Sequence, residues 1–278
     1  MKKVAIVGLG WLGWLGMPLA MALTARGWQV TGSKTTPDGV EAARRCGIEA
    51  FQLELTPEMI CEAEDLEPLL SVDALVVTLP ASRTAEGGEK YLQAVQNVVD
   101  SALVHHVPRI IFTSSTSVYG NGSGVKKENS PLEPETQAGK TLVTLENWLH
   151  DLPGTSVDIL RLAGLVGPKR HPGRFLAGKK EVTEGAQGVN LVHLDDVVEA
   201  ITLLLRTPKG GHVYNLCAPK HPTRAEFYPG VSRQLGLEPP QFLPDERQQS
   251  GKLIDGTRIC SELGFDYTYD DPVKMPLE

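Results

Sequence analysis

Val4-Ala5-Ile6-Val7-Gly8-Leu9-Gly10-Trp11-Leu12-Gly13 is the stretch of the sequence that decides the fold. Its first four residues form a continuous apolar run, which is typical of a parallel strand buried on both faces. The glycines that follow have the spacing G-x-G-x-x-G, which binds dinucleotides when it joins a strand to a helix. In such a loop Gly8 allows the tight turn, Gly10 lets the backbone approach the pyrophosphate, and Gly13 lets the helix pack closely on the strand. The stretch therefore predicts a dinucleotide-binding strand, loop and helix.

The loop contains an immediate repeat, because Trp11-Leu12-Gly13 is followed by Trp14-Leu15-Gly16. Three residues are less than one 3.6-residue helical turn, so we expect the extra triplet to lie in the loop, ahead of a helix that begins near Gly16. Pro18 agrees with this start, since proline suits a first helical turn. A second register, Gly10-x-x-Gly13-x-x-Gly16, is the alternative. The register that begins at Gly8 is favoured, because the apolar strand ends at that glycine. The repeat would weaken cofactor binding.

Short apolar runs alternate with amphipathic segments over the first part of the chain. Further strands are predicted over Trp28–Gly32, Ile48–Leu53, Ala74–Leu79, Arg109–Thr113 and Ser156–Leu162. Helices are predicted over Leu15–Arg26, Val40–Cys46, Lys90–His105 and Thr141–Leu149. This βαβα alternation predicts an α/β fold of the Rossmann type, a doubly wound parallel sheet with helices on both faces.

The regular alternation ends after Leu162, and Gly164–Gly188 is rich in Gly, Pro, Lys and Arg. Long irregular segments in compact proteins are often functional. Beyond it, strands are predicted near Val189–Val192 and Val213–Leu216, and helices over Asp195–Leu205 and Thr223–Leu235. We therefore expect an NAD(P)-binding domain over residues 1–162 and a small substrate-binding region over residues 163–278, interleaved with the last strands of the sheet.

The end of the second strand indicates which dinucleotide binds. NAD-binding domains usually place a carboxylate there for the ribose 2′-hydroxyl. In this chain the segment after Val30 is Thr31-Gly32-Ser33-Lys34-Thr35, a lysine among hydroxyls. Lys34 and Ser33 favour a 2′-phosphate, and hence NADP, with NAD as the alternative. A lysine that merely lies at the surface is an equally open interpretation.

Composition excludes several classes of partner. The net charge of −7 argues against a nucleic-acid or anionic-membrane surface. No apolar run reaches transmembrane length, and the N-terminal apolar run is too short for a signal peptide. The four cysteines lack CxxC or metal-ligand spacing and are expected to be reduced thiols in a cytoplasmic protein. No His, Cys and carboxylate cluster suggests a metal.

Several further motifs stand in order along the chain. They are Asp73–Pro80 at the fourth strand, TSSTSVYG over residues 113–120, RLAGLVGP over residues 161–168, VHLDD over residues 192–196, and LGF over residues 263–265. Together with the glycine loop, they make the chain resemble the extended or atypical short-chain dehydrogenase/reductase family, in its NAD(P)-dependent epimerase/dehydratase group. The resemblance covers nearly the whole chain. The cofactor-binding residues that the loop, the second strand and this resemblance together predict are Gly8, Gly10, Trp11, Leu12, Gly13, Ser33, Lys34, Leu79, Pro80 and Lys140.

The resemblance also implies catalytic residues. In that family a Ser polarises the substrate, a Tyr transfers protons, and a Lys four residues after the Tyr lowers its pKa and binds the nicotinamide ribose. Ser115 matches the Ser and Lys140 matches the Lys, but Thr136 stands at the Tyr position. A threonine hydroxyl cannot exchange protons near neutrality as a tuned phenol can. Tyr119, on the same loop as Ser115, is the candidate replacement; a structural role for Tyr119 is the favoured alternative.

Three further features of the second half of the chain are a near match to a P-loop, a basic cluster and His193. Gly173–Lys180 nearly matches a P-loop, but it lacks the Ser or Thr that would hold Mg²⁺, and no apolar strand precedes it, so ATP binding is rejected. The cluster of basic residues from Lys169 to Lys180 favours an anionic substrate, with a solvated basic loop as the alternative. His193 is expected to be structural or to lie at the edge of the cleft.

The sequence and the resemblance together predict an NAD(P)-dependent oxidoreductase or epimerase-like enzyme that acts on a small carbonyl or sugar-like substrate. The alternative is a dinucleotide-binding sensor or regulator without turnover, because the proton-transferring Tyr is replaced. The resemblance also implies a homodimer formed through the helices that match Lys90–His105 and Thr141–Leu149, which the sequence alone does not establish.

Overall fold

A computed structural model describes residues 2–8, 14–55, 58–81 and 84–278 of the 278-residue chain. The strands are β1 (Lys3–Val7), β2 (Gln29–Lys34), β3 (Glu49–Gln52), β4 (Glu54–Leu55), β5 (Met59–Ile60), β6 (Ala74–Val77), β7 (Arg109–Ser115), β8 (Gly124–Lys126), β9 (Ser156–Leu162), β10 (Gly164–Val166), β11 (Leu191–His193), β12 (Val213–Leu216) and β13 (Lys252–Ile254). The helices are α1 (Gly16–Ala25), α2 (Pro37–Arg45), α3 (Ala63–Leu70), α4 (Ala85–Val104), α5 (Gln137–His150), α6 (Leu194–Arg206), α7 (Arg224–Gln234) and α8 (Arg258–Leu263).

The central sheet has seven strands in the order β12-β9-β7-β6-β1-β2-β3. It is parallel, so the predicted Rossmann-type fold is confirmed. The chain moves outward from β1 to β3, then returns to the other side of β1 with β6. The topological switch point therefore lies between β1 and β6, where open α/β sheets bind ligands at the carboxyl ends of their strands.

The first helix begins at Gly16, as the repeat predicted. Pro18 lies in its first turn, where its missing N–H costs no hydrogen bond. The apolar runs that identified the central strands are buried as expected, since Val4, Ala5 and Ile6 have no exposed surface. Residues Leu9, Gly10, Trp11, Leu12 and Gly13, which carry most of the predicted glycine loop, lie outside the described residues.

The chain folds into two compact units. The first comprises Met1–Val118, Pro134–Leu160 and Ile201–Val213, and the second comprises Tyr119–Glu133, Arg161–Ala200 and Tyr214–Glu278. The boundary predicted at residue 162 falls close to one crossing between the units. The chain passes between the units at other points as well, because residues 119–133 belong to the second unit and residues 201–213 to the first.

The second unit has its own apolar core. This core consists of Val166, Val189, Leu191, Ala218, Phe227, Val231, Met275 and Leu277. Two side chains tie the C-terminal segment to it. The Asp196 carboxylate accepts hydrogen bonds from the backbone N–H groups of Thr268 (2.8 Å) and Tyr269 (3.1 Å). His193 contacts the carbonyl oxygen of Pro276 through Nε2 at 2.7 Å.

Several short elements have no sequence pattern that predicts them. One is α3, which contains Pro68 and therefore broke the helical pattern. The others are the six-residue helix α8 and the strands β4, β5, β8, β10 and β13, which have two or three residues each. Such strands are too short for an alternating pattern to identify. A strand was expected near Val189–Val192, and β11 occupies the end of that range.

Candidate active site

The predicted site residues of the first unit lie at the ends of neighbouring strands. Ser115 ends β7, Leu79 follows β6, Gly8 follows β1, and Lys34 ends β2, and these four strands are adjacent in the sheet. Because the strands are parallel, their carboxyl ends meet at one edge. Residues separated by up to 107 positions in the chain, from Gly8 to Ser115 (115 − 8), are thus brought to one edge of the sheet.

Gly8 stands at the switch point and touches the end of the neighbouring strand. Its φ is +122°, and a Cβ there would lie 2.4 Å from Thr78 Oγ1 and 3.3 Å from the backbone nitrogen of Leu79. The N–H of Thr78 donates to the carbonyl of Val7 at 3.0 Å. Only glycine fits this position, since any side chain would strain the backbone and overlap Thr78.

Leu79 and Pro80 form the segment next to Gly8. The carbonyl of Leu79 accepts a hydrogen bond of 3.0 Å from the hydroxyl of Tyr91, a buried residue of α4. Leu79 is half-buried and Pro80 is exposed. The hydrogen bond from Tyr91 thus fixes the segment, and Pro80 is exposed at the edge where the strands end.

Lys34 and Ser33 end β2 without a carboxylate among residues 29–34. Ser33 is buried and Lys34 is half-buried. The lysine stem lies against the first turn of α2, since its Cδ is 3.3 Å from the position that a Cβ on Gly39 would occupy. Burial lowers the pKa of the Lys34 ammonium from its ordinary value. The second strand therefore offers a cation where an NAD-binding domain usually has an anion.

The first turn of α5, which carries Lys140, approaches the loop that follows Ser115 at the end of β7. Ser115 is half-buried, and its Oγ accepts a hydrogen bond of 3.1 Å from the N–H of Ser117. A Cβ on Gly139 would lie only 2.8 Å from the carbonyl oxygen of Ser117. The first turn of α5 thus touches this loop, and Lys140, the next residue, is exposed in that turn.

Thr136 stands where the family has its proton-transferring Tyr, and its hydroxyl caps α5. Thr136 Oγ1 accepts a hydrogen bond of 3.0 Å from the N–H of Gly139. An N-cap satisfies one of the free donors in the first turn of a helix. The hydroxyl therefore stabilises the helix that carries Lys140.

Tyr119 belongs to the second unit and is fully buried. Its hydroxyl donates to Asn215 Oδ1 at 2.6 Å and accepts from Arg161 Nη1 at 2.8 Å. Burial raises the pKa of this phenol. These contacts favour the structural role of Tyr119 over proton transfer.

Beneath Ser115 lies a buried pair that the sequence analysis did not identify. Ser114 Oγ donates to Glu146 Oε2 at 2.7 Å, and both side chains are buried. A signal was available, since Glu146 follows Leu145 on the apolar face of α5. A charged residue on that face indicates a buried polar partner.

The cluster of basic residues from Lys169 to Lys180 belongs to the second unit. The ring of Phe175 is 62% exposed, with Lys179 Nζ 5.8 Å from its centroid. The His171 side chain forms a hydrogen bond within the same loop, because its Nδ1 accepts from the N–H of Gly173 at 2.9 Å. An exposed aromatic ring among cations is a surface that suits an anionic ligand with an apolar or ring-shaped part.

His193 has a structural position. It is buried, and its Nδ1 accepts from the N–H of Asp195 at 3.0 Å in the first turn of α6. With Nδ1 as the acceptor, Nε2 carries the proton that reaches Pro276.

Within residues 2–8, 14–55, 58–81 and 84–278, no group of three or more His, Cys, Asp or Glu residues has the arrangement of a metal site. Over the same residues, no helix combines the length and the apolar character needed to span a membrane.

Comparison with known proteins identifies the family. The model of the NAD dependent epimerase/dehydratase family matches residues 6–217. Protein YeeZ of Escherichia coli K12 is 66% identical over 278 residues, which is 100% of both chains. The crystal structure of UDP-glucuronic acid 4-epimerase from Bacillus cereus in complex with NAD has a TM-score of 0.77 at 19% identity, covering 99% of this chain and 95% of that one. DesIV, a dTDP-glucose 4,6-dehydratase from Streptomyces venezuelae with NAD and TYD bound, has a TM-score of 0.74 at 21% identity, covering 96% and 92%.

The two solved structures are similar to this chain in fold, and the family assignment rests on the family model and on the full-length relative. The ordered motifs, the parallel sheet and the glycine at the switch point agree with it. The chain therefore belongs to the NAD-dependent epimerase/dehydratase family.

Proposed function

We propose that this protein is an NADP(H)-dependent oxidoreductase or epimerase-like enzyme that acts on a small, anionic, sugar-like carbonyl compound. The observation that carries the proposal is the convergence of Gly8, Lys34 and Ser115 at the carboxyl ends of adjacent strands of the sheet. This is the edge where doubly wound sheets bind their ligands.

The described residues fit a dinucleotide. Gly8 supplies the tight turn without a side chain that such a loop needs after β1, and Lys34 ends β2, where a ribose 2′-phosphate would be bound. Lys140 would bind the nicotinamide ribose, and Leu79 and Pro80 would line the site. When bound, the nicotinamide supplies hydride exchange with a carbon of the substrate. Solved structures of similar fold carry NAD, so the preference for NADP rests on Lys34.

The substrate would be oriented by Ser115, whose hydroxyl is at the strand end and can donate to a substrate oxygen. The names of two solved structures of similar fold refer to nucleotide sugars. Taken by itself, the second unit offers the cations of residues 169–180 and the exposed Phe175. A phosphate-bearing sugar compound agrees with both observations.

A second candidate is a dinucleotide-binding sensor without turnover. Two observations favour it: Thr136 caps α5, and the phenol of Tyr119 is bonded to Asn215 and Arg161. A threonine hydroxyl cannot exchange protons near neutrality, and the Tyr119 proton is donated to Asn215, so an enzyme would need Lys140 or the substrate itself to transfer the proton.

Calorimetric titration with NADPH and NADH tests the cofactor. We expect the wild type to prefer NADPH. Lys34→Gln should weaken NADPH binding by roughly 10- to 100-fold, the worth of a hydrogen bond to a charged group, and leave NADH binding unchanged. Lys90→Gln, an exposed lysine of α4, is the matched control. Equal effects of Lys34→Gln on both dinucleotides would remove the argument for NADP.

Turnover is tested with a panel of aldehydes, ketones and UDP- and dTDP-sugars. We expect Ser115→Ala to lower turnover by about 100-fold or more while the NADPH affinity is kept, with Ser117→Ala as the control. Thr136→Tyr should raise the turnover of an enzyme, since it completes Y-x-x-x-K. No turnover by the wild type across the panel, with dinucleotide bound, would establish the sensor instead.

We also propose a cytoplasmic location and a substrate-binding region within residues 163–278.

We further propose a homodimer formed through α4 and α5. The outer face of these helices carries polar side chains around Trp148, including Gln93, Gln96, Asn97 and Asp100. Sedimentation equilibrium distinguishes the dimer from a monomer, and Trp148→Glu should dissociate it. An unchanged mass for this variant would place the interface elsewhere.

A further inference from the structure

Ser114 and Ser115 are consecutive residues at the end of β7, with different surroundings. Successive side chains of a strand point to opposite faces of the sheet. Ser115 lies at the half-buried edge where the candidate site is, and Ser114 is buried and donates to Glu146 of α5 at 2.7 Å. Fixing Ser114 therefore fixes the backbone from which Ser115 projects.

Glu146 occupies a costly position for a carboxylate. It is 1% exposed and follows Leu145 in the apolar face of α5. Burying a carboxylate is unfavourable unless it is hydrogen-bonded, and an apolar pair of the same shape would often stabilise the fold equally well. Mere packing of α5 on β7 does not require this pair.

The same helix carries Lys140, six residues or about 9 Å before Glu146 along its axis. A second attachment lies at the start of α5, where Gly139 approaches the carbonyl of Ser117. The helix is thus attached to β7 at Ser114 and to the loop beyond it at Ser117. These two attachments set both the rotation and the axial position of the helix relative to Ser115.

We propose that Glu146 is a positioning residue: through Ser114 it fixes the end of β7 against α5, so that the Ser115 hydroxyl and the Lys140 ammonium keep a constant separation. This inference rests on the proposed function for the roles of Ser115 and Lys140. The attachment itself is independent of that function.

The test compares Ser114→Ala and Glu146→Gln with the wild type by hydrogen exchange and by the fluorescence of bound NADPH. We expect exchange in peptides covering residues 112–119 to rise about tenfold, and the Kd for NADPH to rise about three- to tenfold, as for the loss of one hydrogen bond. Ser114→Thr keeps the hydroxyl and should restore both values. Thr144→Ala is the control, since its hydroxyl bonds only to the carbonyl of Lys140 within α5.

A purely structural role would lower the unfolding midpoint of Ser114→Ala but leave local exchange and the emission of bound NADPH as in the wild type. That result would overturn the proposal, as would a failure of Ser114→Thr to restore them. Glu146→Gln keeps the side-chain shape and provides the test if Ser114→Ala does not fold. If the wild type binds no NADPH, the proposed function fails, and the exchange of residues 112–119 still decides whether Glu146 fixes this segment.

Discussion

Two buried polar clusters begin within five residues of each other in the chain, and they are built differently. In the first unit, Ser114 donates to the buried carboxylate of Glu146, directly before the half-buried Ser115. In the second unit, Tyr119 bonds both Asn215 and Arg161 and is wholly buried. The first cluster lies next to a half-buried hydroxyl, and the second uses its hydroxyl within the fold. Similar residues thus acquire different roles from what surrounds them.

A second carboxylate, Glu128, lies beside the Tyr119 cluster. Glu128 of the second unit has a buried oxygen, Oε2, for which the described part of the chain supplies no hydrogen-bond partner. Burial raises its pKa to about 7, with a further contribution from Asp255 and an opposing one from Arg258. A buried carboxylate with incomplete partners destabilises the ionised form. The second cluster therefore contains a group that titrates near neutrality.

The largest expected effect is that of Arg161→Leu. Its Nη1 donates to the hydroxyl of Tyr119 and, at 3.0 Å, to the carbonyl of Glu128, and its guanidinium lies 5.1 Å from the centroid of the Tyr119 ring. Removing a buried charged donor should cost about 3–5 kcal/mol of unfolding free energy. Urea denaturation followed by circular dichroism measures the loss.

Arg45→Gln, which removes an exposed cation paired with Glu41, should cost under about 0.5 kcal/mol and serves as its control. The second unit contains no tryptophan, and Trp14, Trp28 and Trp148 belong to the first unit. Their fluorescence therefore shows separately whether the first unit is affected. A cost of Arg161→Leu below about 1 kcal/mol would contradict the view that this cluster holds the second unit together.

Tyr119→Phe is expected to cost about 2 kcal/mol, since Asn215 and Arg161 each lose a buried partner. Turnover on any substrate found should be unchanged at temperatures where the variant is folded. Loss of turnover with little loss of stability would reverse the comparison and make Tyr119 the proton-transfer residue.

Glu128→Gln is expected to stabilise the protein at pH 8 and not at pH 4. Between the ordinary value of 4.5 and about 7 the unfolded carboxyl ionises before the folded one, so the wild type loses stability as pH rises through this window. Linkage gives up to about 3 kcal/mol for the shift, and partial exposure reduces our expectation to about 1–2 kcal/mol. Denaturation midpoints at both pH values measure it, with the exposed Glu238→Gln as the control. A difference that is the same at pH 4 and pH 8 would show that Glu128 titrates normally.

The smallest expected effect is that of Thr136→Ala, which removes the N-cap of α5 in the first unit. It should cost about 1 kcal/mol, and Thr136→Ser should cost nearly nothing because serine caps equally well. Urea denaturation followed by tryptophan fluorescence measures both. If the two variants lose equal stability, the cap does not account for threonine at this position.

Much of the site could be predicted from local sequence. The apolar run before Gly8 and the alternation of strands and helices place Gly8, Lys34, Leu79 and Ser115 at strand ends, because strand ends are marked by where apolar runs stop. The start of α1 at Gly16 followed from helical periodicity and Pro18. The partners Ser114–Glu146 and Tyr119–Arg161 did not follow, since 32 and 42 positions separate them and no local pattern encodes which buried polar groups meet.

The sequence by itself determined the sheet, its glycine turn and the cation at the end of β2, because periodicity and the steric freedom of glycine act over a few residues. The tertiary structure alone decided which hydroxyls are engaged. Among the described residues, the hydroxyls of Thr136 and Ser115 each accept a hydrogen bond from a nearby N–H, whereas the Tyr119 hydroxyl also donates its proton to the distant Asn215. The reason is that a hydroxyl's availability depends on the donors and acceptors that folding brings within about 3 Å of it.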